Sequence, residues 1–417
     1  MNRRPPFSPR LQRFTARRGT VYLIVLTTGL LVLLLGLGGM AVARSLGRTM
    51  DRGAEAAAAR WYAESAIEIA RATINQTSNW RTTRTNGAWL TDVAIGNGTM
   101  SVDVTNPSGA LGRSFSDSVV VTGTGKCGQA VQVVKATLRA DQTPRTCLNV
   151  SMCAGGLTTL TGATVGPSGN TIASNAGVTA ALATVNANTE SAGAILGLTF
   201  KGTTAALGKA HTLPDSSVFD FYIANGTSIL YSSLNGKIEN CLLSPTSNSF
   251  GGGLNAQGIY IIDCNNQPLK IRDCRIVGTL VVLNTSGCTA DKAIIWEPAV
   301  ANFPCLMIQG DLQLKTDAAN LLEGTANLNP ASTPYPFPGG VSNTTQSDSY
   351  LNRIVGLVYV SGNLTTSSSP AANLIIVGGT VACSGTLTLN YDATYANSPP
   401  PGFANVVMRP QLGTYAR

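Results

Sequence analysis

The hydrophobic pattern divides the chain into three regimes. Val21–Ala43 (VYLIVLTTGLLVLLLGLGGMAVA) is an uncharged, mostly apolar run of 23 residues. At about 1.5 Å per residue, a helix of that length spans roughly 34 Å, enough for the hydrocarbon core of a bilayer. Over residues 51–75 the spacing becomes helical. Arg60, Glu64, Glu68 and Arg71 fall on one stripe, and Ala54, Ala58, Trp61, Ser65, Ile69 and Ala72 on another. Alanine dominates and no proline interrupts, so one helix is expected to run from the membrane span to about Asn75–Asn79. From residue 78 to 146 the apolar residues come in short alternating runs such as Met100–Val104, Ser118–Val121 and Ala130–Leu138, with turns at Asn97-Gly98 and Asn106-Pro107. This predicts a small antiparallel sheet against the helix, although a linker subdomain would show the same pattern.

Residues 147–417 carry an internal repeat. Ser361-Gly362-Asn363-Leu364-Thr365 recurs as Ser384-Gly385-Thr386-Leu387-Thr388, and Ile238-Glu239-Asn240-Cys241 as Ile261-Ile262-Asp263-Cys264, each at a shift of 23. Gly-x-Leu also occurs at Gly278 and Gly310. Such a period signals stacked units, each burying its inward side chains against the next. With short β-type runs and Gly or Asn between them, the expected fold is a C-terminal right-handed parallel β-helix. A β-sandwich with coincidental spacing is the alternative. The 52-residue gap between Gly310 and Gly362 places an inserted loop at 317–348, which is rich in Pro and Asn. The whole is mainly β with one long N-terminal helix: leader 1–19, helix 20–77, small β subdomain 78–146 and repeat domain 147–417.

Charge changes the picture at one end only. Arg3, Arg4, Arg10, Arg13, Arg17 and Arg18 supply six of the net +8, leaving +2 for the other 399 residues. The basic balance therefore gives no reason to expect nucleic acid as a partner. It fits an arginine tail held at the cytoplasmic face of the inner membrane, with the bulk of the chain extracytoplasmic. Ala41-Val42-Ala43 resembles a signal-peptidase site, so a cleaved signal is the competing reading; the long apolar run and the helix continuing past it favour retention.

Arg17-Arg18-Gly19 before the apolar helix, the glycines Gly36, Gly38 and Gly39, and then Ala63-Glu64-Ser65-Ala66-Ile67-Glu68 resemble the N-terminus of PilX-type minor pilins and GspK-type pseudopilins over roughly residues 14–77. The resemblance implies cleavage between Gly19 and Thr20. It also implies a helix that first anchors the subunit in lipid and later packs against other pilin-like subunits and the assembly machinery. The packing residues would be Gly36, Gly39, Ala43, Ala58, Trp61, Ser65 and Ile69, where small side chains permit close approach. Major pilins carry Glu five residues after the cut. Here that position is Ile24, a departure that GspK- and PilX-like members often share. A subunit without that carboxylate, carrying a bulky outer domain, is expected at a filament tip.

Candidate chemistry is sparse. His211 is the sole histidine, so neither a catalytic triad nor a histidine zinc site can be built around it, and a surface-loop role is expected. No Cys-x-x-Cys, phosphate loop or dinucleotide fingerprint occurs in a suitable context. A β-helix lyase or glycosidase would need carboxylates gathered on one face. The candidates are Asp263, Asp273, Asp291, Glu297 and Asp311; Asp263 and Asp273 are too close in sequence to share a face. No catalytic residue, metal or cofactor is therefore expected. Cys241, Cys264 and Cys288 recur near the repeat period and are expected to stack as a buried ladder rather than a disulfide. The functional expectation is a structural pilin-like or pseudopilin-like subunit. The alternative is an envelope-anchored adhesin or carbohydrate-binding protein, with a surface ligand or polysaccharide as its partner.

Overall fold

The computed structural model describes residues 18–77, 79–114, 116–316, 319–326, 345–368 and 371–414. Most of the expected leader, and residues 317–318 and 327–344 of the expected insertion, lie outside these. The breaker-free Leu and Ala runs form one helix, Arg18–Gln76, of 59 residues, roughly 88 Å long. Its first half is apolar and exposed, and is long enough to cross a membrane. Thr27 and Thr28, the polar side chains inside this stretch, return their hydroxyls to the carbonyls of Leu23 and Ile24 at 2.9 and 2.8 Å. No unpaired donor is therefore offered to lipid.

The second half of the helix lies on a five-stranded antiparallel sheet. The strands are Gly87–Ile95, Gly98–Thr105, Val119–Cys127, Ala130–Pro144 and, from the far end of the chain, Ala404–Pro410. Ala63, Ala66, Ile67, Ala70 and Ile74 pack on Val102, Val104, Val119, Val121, Ala136 and Leu138. Burying each isoleucine contributes about 1.5–3 kcal/mol. The stretch expected to end the repeat domain at 417 thus departs from it. Its last strand alternates like the head strands and completes their sheet, with Met408 buried in the head core.

Between those two head strands the chain forms a coil of parallel strands with three sides. One side stacks Ile259–Asp263, Thr279–Leu283, Pro304–Ile308 and the end of Arg353–Val360. The next side carries Leu312–Lys315, Leu364–Ser368 and Val381–Cys383. A third is built by the ends of Leu269–Val277 and Cys288–Glu297, and farther along by Thr386–Thr388 and Thr164–Gly166. Fully inward side chains such as Ile262, Leu280, Leu306 and Val358 form one continuous core.

The register revises the expected period. Leu364 stands opposite Val381, 17 residues on, and Met152 opposite Ile172, 20 residues on. The two Ser-Gly-x-Leu-Thr copies do not stack. Ser361-Gly362 abuts Gly378-Gly379, whereas Ser384 bonds the carbonyl of Thr366. They occupy different corners, because each corner needs a small residue followed by an inward leucine, here Leu364 and Leu387. Leu312 and Leu364 do stack, and the 52-residue step between them leaves the coil as an excursion. On it, Leu321 and Tyr350 cover Ala293 and Ile295.

The rungs are not stacked in chain order. Met152–Ala154, the first coil strand in sequence, pairs on one edge with Ala371–Val377 and on the other with Thr171–Ser174. Two series, roughly 152–205 and 227–389, therefore meet at a seam held by strand pairing and packing. At the seam corner, a Cβ on Gly155 would stand 2.2 Å from the carbonyl oxygen of Gly378, so only glycine fits.

Residues 206–226 carry the chain from one end of the coil to the other as a strap over one side. Along its length His211 bonds Asn175, Leu213 touches Gly155, Phe219 stacks on Tyr359, Phe221 and Tyr222 meet Phe303, and Gly226 reaches Ile261. The strap and the segments around Leu148, Tyr395 and Phe403 bury the outer face of that side. Its strands consequently read as continuous apolar runs rather than alternating ones.

A sharp bend within three successive strands uses one left-handed residue each: Asn240 (φ 52°), Asp273 (φ 43°) and Lys292 (φ 58°). Asn and Asp tolerate that backbone; Lys292 instead pairs with Asp273 at 3.2 Å.

Candidate functional site

The feature best suited to assembly is the side of the long helix that the head sheet leaves free. The sheet takes one face because the strand beneath the helix carries glycines. A Cβ on Gly123 would lie 2.1 Å from the carbonyl oxygen of Ala63, and one on Gly125 2.0 Å from that of Ala59. The helix backbone rests on the strand, and Tyr62 closes over Gly96 and Gly98, with its hydroxyl 3.3 Å from the Asn97 amide.

The opposite stripe is the one expected to pack against neighbours. Trp61 is 69% exposed and Ile69 38%, while Ala58 and Ser65 are half-buried. Gly36 and Gly39 have no neighbour within 4 Å of a built Cβ, and Ala43 is exposed. Gly19 and Thr20 lie in the first turn of the helix. Two ion pairs flank the stripe, Arg60–Glu64 at 2.8 Å and Glu68–Arg71 at 2.5 Å. Exposed pairs of this kind contribute about 0.3–0.5 kcal/mol, so they solubilise the face more than they stabilise the helix. Trp61, Glu64, Ser65, Glu68 and Ile69 line a shallow groove along it. An exposed tryptophan and isoleucine beside alanines, ringed by charge, can bury apolar area against a partner helix without moving the head.

The helix is tied to the rest of the molecule at its lower end. Arg81 donates to the carbonyl oxygens of Leu111 (3.1 Å) and Asp117 (2.5 Å), with its guanidinium 4.4 Å from the Trp80 ring centre. Burial lowers its pKa to about 10, against the opposing charge of Asp117, and it stays cationic at neutral pH. Thr82 bonds Asp220 of the strap at 3.1 Å, and Arg145 bridges Leu213 (2.7 Å) and Asp215 (3.3 Å). A cleft of about 350 Å³ remains between head and coil, lined by Asn75, Trp80, Arg81, Arg145, Asp215 and Asn405 among others.

The expected cysteine ladder is redistributed. Cys241 stands opposite Cys274, whereas Cys288 stands opposite Leu269 and Leu312. Cys264 follows the strand Ile259–Asp263 and adjoins Cys288 from a corner. The 23-residue spacing joined different sides of the coil, so a single column does not form. All nine cysteines are unbridged and all but Cys127 are buried. Burial pushes the Cys241 thiol up to about 12 and Cys264 to about 11, and raises Cys274 and Cys288 as well. These thiols act as small apolar side chains.

Each singled-out carboxylate is engaged by a neighbour. Asp263 accepts from Asn284 (3.1 Å), Asp291 holds Arg272 through two bonds (2.6 and 2.5 Å), and Asp311 accepts from the Asn363 amide (2.7 Å). Glu297 holds the buried Arg275 at 2.9 Å and Arg353 at 3.6 Å. Asp263 ends one strand, while Asp273 sits in the bend of the next. Among the described residues no group of three or more His, Cys, Asp or Glu is placed to hold a metal. His211 is no loose loop residue. Its Nδ1 lies 3.0 Å from the Thr146 carbonyl oxygen, its Nε2 3.4 Å from Glu190, and its backbone is clasped by Asn175.

Sequence reasoning missed the glycine track under the helix. Gly96, Gly98, Gly123 and Gly125 are its signal, since glycine inside alternating strands marks a close backbone approach.

No protein-family model matches the chain, and no curated protein does. Among solved structures, the competence-associated pilin ComZ from Thermus thermophilus aligns over 87% of this chain and 97% of its own, at 11% identity and a TM-score of 0.32.

Proposed function

We propose that this chain is a pilin-like or pseudopilin-like structural subunit of a type IV pilus or type II secretion-like system, without catalytic activity. It starts in the inner membrane with its arginine tail in the cytoplasm. The observation that carries the reading is the division of the helix face: one side rests on its own sheet, and the other, with Trp61 and Ile69, is open along its length. A permanent anchor needs no such second face. An apolar first half that continues without a break into the head gives one rod that can be held by lipid and then by neighbouring helices. The PilX- and GspK-like features of residues 14–77 point to a minor subunit. The lack of a carboxylate at Ile24 and the bulk of the coil favour the tip of a filament, because a buried amine without a partner would be costly lower down.

Mass spectrometry of the mature N-terminus tests this. A chain beginning at Thr20 is the expected result. An intact arginine tail would leave a permanently anchored adhesin or carbohydrate-binding protein as the better reading.

A further inference from the structure

The two ends of the coil differ. At one, Phe250 and Tyr231 fold onto the core; Tyr231 donates to the Pro268 carbonyl at 2.6 Å and Ser233 to that of Phe250 at 3.2 Å. At the other, the last strands are Ile195–Leu196 and Thr204–Ala205, and no described segment pairs with their outer edge. Leucines crowd this end. Leu198 is 101% exposed, Leu182 94%, Leu207 78% and Leu196 60%. Leu182 and Leu207 also occupy left-handed backbone, with φ of 55° and 60°. A leucine is a poor choice there, and its side chain gains nothing by burial to offset the strain.

The charge around these leucines has one sign. Lys201 and Lys209 are exposed, and no Asp or Glu occurs from Ser191 to Pro214. The neighbouring carboxylate, Glu190, faces His211 at 3.4 Å. A protein adding a strand would find edges of only two residues each, too short to hold a register. A bilayer needs no register. It takes up projecting apolar side chains, and its anionic headgroups attract flanking lysines.

We propose that this open end is a lipid-contact site. Leu182, Leu196, Leu198 and Leu207 enter the interfacial layer of a membrane, and Lys201 and Lys209 engage its anionic phosphates. The site is separate from the helix anchor and does not depend on the pilin-like reading.

The test uses the full chain held in nanodiscs of neutral lipid and floated with vesicles of phosphatidylcholine, with or without phosphatidylglycerol. Capture by the anionic vesicles is expected, weakening with salt. The double variant Leu182→Asp/Leu198→Asp should reduce it about tenfold or more, and the milder Leu198→Ser should reduce it less. Lys201→Gln/Lys209→Gln should remove the preference for phosphatidylglycerol while leaving residual capture. These side chains project into solvent, so wild-type melting curves are expected of all three variants. Capture that is absent, or that the leucine variants leave undiminished, would overturn the proposal. So would nanodiscs that associate with one another through these leucines but capture no vesicles, an outcome that would assign the end to a second copy of the chain.

Discussion

Met152 and Ile375 face each other across parallel strands, and the Ile375 amide donates to the Ser151 carbonyl at 3.0 Å. The first and last parts of the coil are thereby joined in its middle without a covalent link at that point. A protease site inserted between Gly208 and Lys209 would cut the strap. The two fragments are expected to stay together through the seam and the head sheet. Size-exclusion chromatography after cleavage reads this directly; fragments separating without denaturant would mean that the strap, and not the seam, holds the coil.

The glycine track makes a second prediction. Gly123→Ala or Gly125→Ala would force the helix off its strand, because the new Cβ meets a helix carbonyl oxygen at 2.1 or 2.0 Å. Overpacking of this kind costs about 1–3 kcal/mol. Gly287→Ala, which meets nothing within 4 Å, is the matched control and should leave the urea midpoint unchanged.

Thr158, Thr189 and Thr366 point buried hydroxyls at no acceptor. Thr366→Val keeps the shape and removes the unpaired group. It is expected to stabilise the protein by about 1 kcal/mol, read as a higher urea midpoint at unchanged slope. A lower midpoint would show that the hydroxyl has a partner in solution.

Asp220 gives a pH dependence. Desolvation raises its pKa above the ordinary aspartate value, the Thr82 hydrogen bond opposes the shift, and Asp215 adds to it. A carboxyl raised in the folded state favours folding when protonated. Its penalty is therefore absent below the unfolded value and sets in as pH rises through the folded one. Asp220→Asn should melt higher than wild type at neutral pH, with the gap closing on acidification below the ordinary aspartate range. A gap that widens on acidification would contradict the assignment.

Trp61→Ala and Ile69→Asp separate folding from assembly. Both side chains are exposed, so the melting temperature should hold within the scatter of surface changes, about 0.5 kcal/mol in stability. Cross-linking yields to other subunits in the membrane should fall. Equal loss of melting temperature and cross-linking would place these residues in the fold instead.

The helix, its free stripe and the β character of the rest were legible because their signals are local: composition, period 3.6, and short runs between Gly and Asn. The coil was legible as a repeat but not in its phase. Ser361-Gly362 and Ser384-Gly385 look alike because every corner asks for the same small residues, so the motif counts corners rather than rungs. The seam at Met152 and the return of Ala404–Pro410 to the head pair segments far apart in the chain. No spacing rule records such a pairing. For the same reason Cys241 found Cys274, while Cys264 and Cys288 met at a corner.

The coil leaves the head at Pro144 and returns at Ala404, which are direct partners in the head sheet, and the Arg145 amide bonds the Phe403 carbonyl just beyond them at 3.1 Å. A tensile load on the coil would reach the head through two strands at once, drawn in the same direction along their own axes. The hydrogen bonds of Ala130–Pro144 to Val119–Cys127 would then be sheared together instead of unzipped in turn. With its weight hung this way, the outer domain is a cargo on a two-stranded tether, and traction on it is carried into the sheet on which the helix rests.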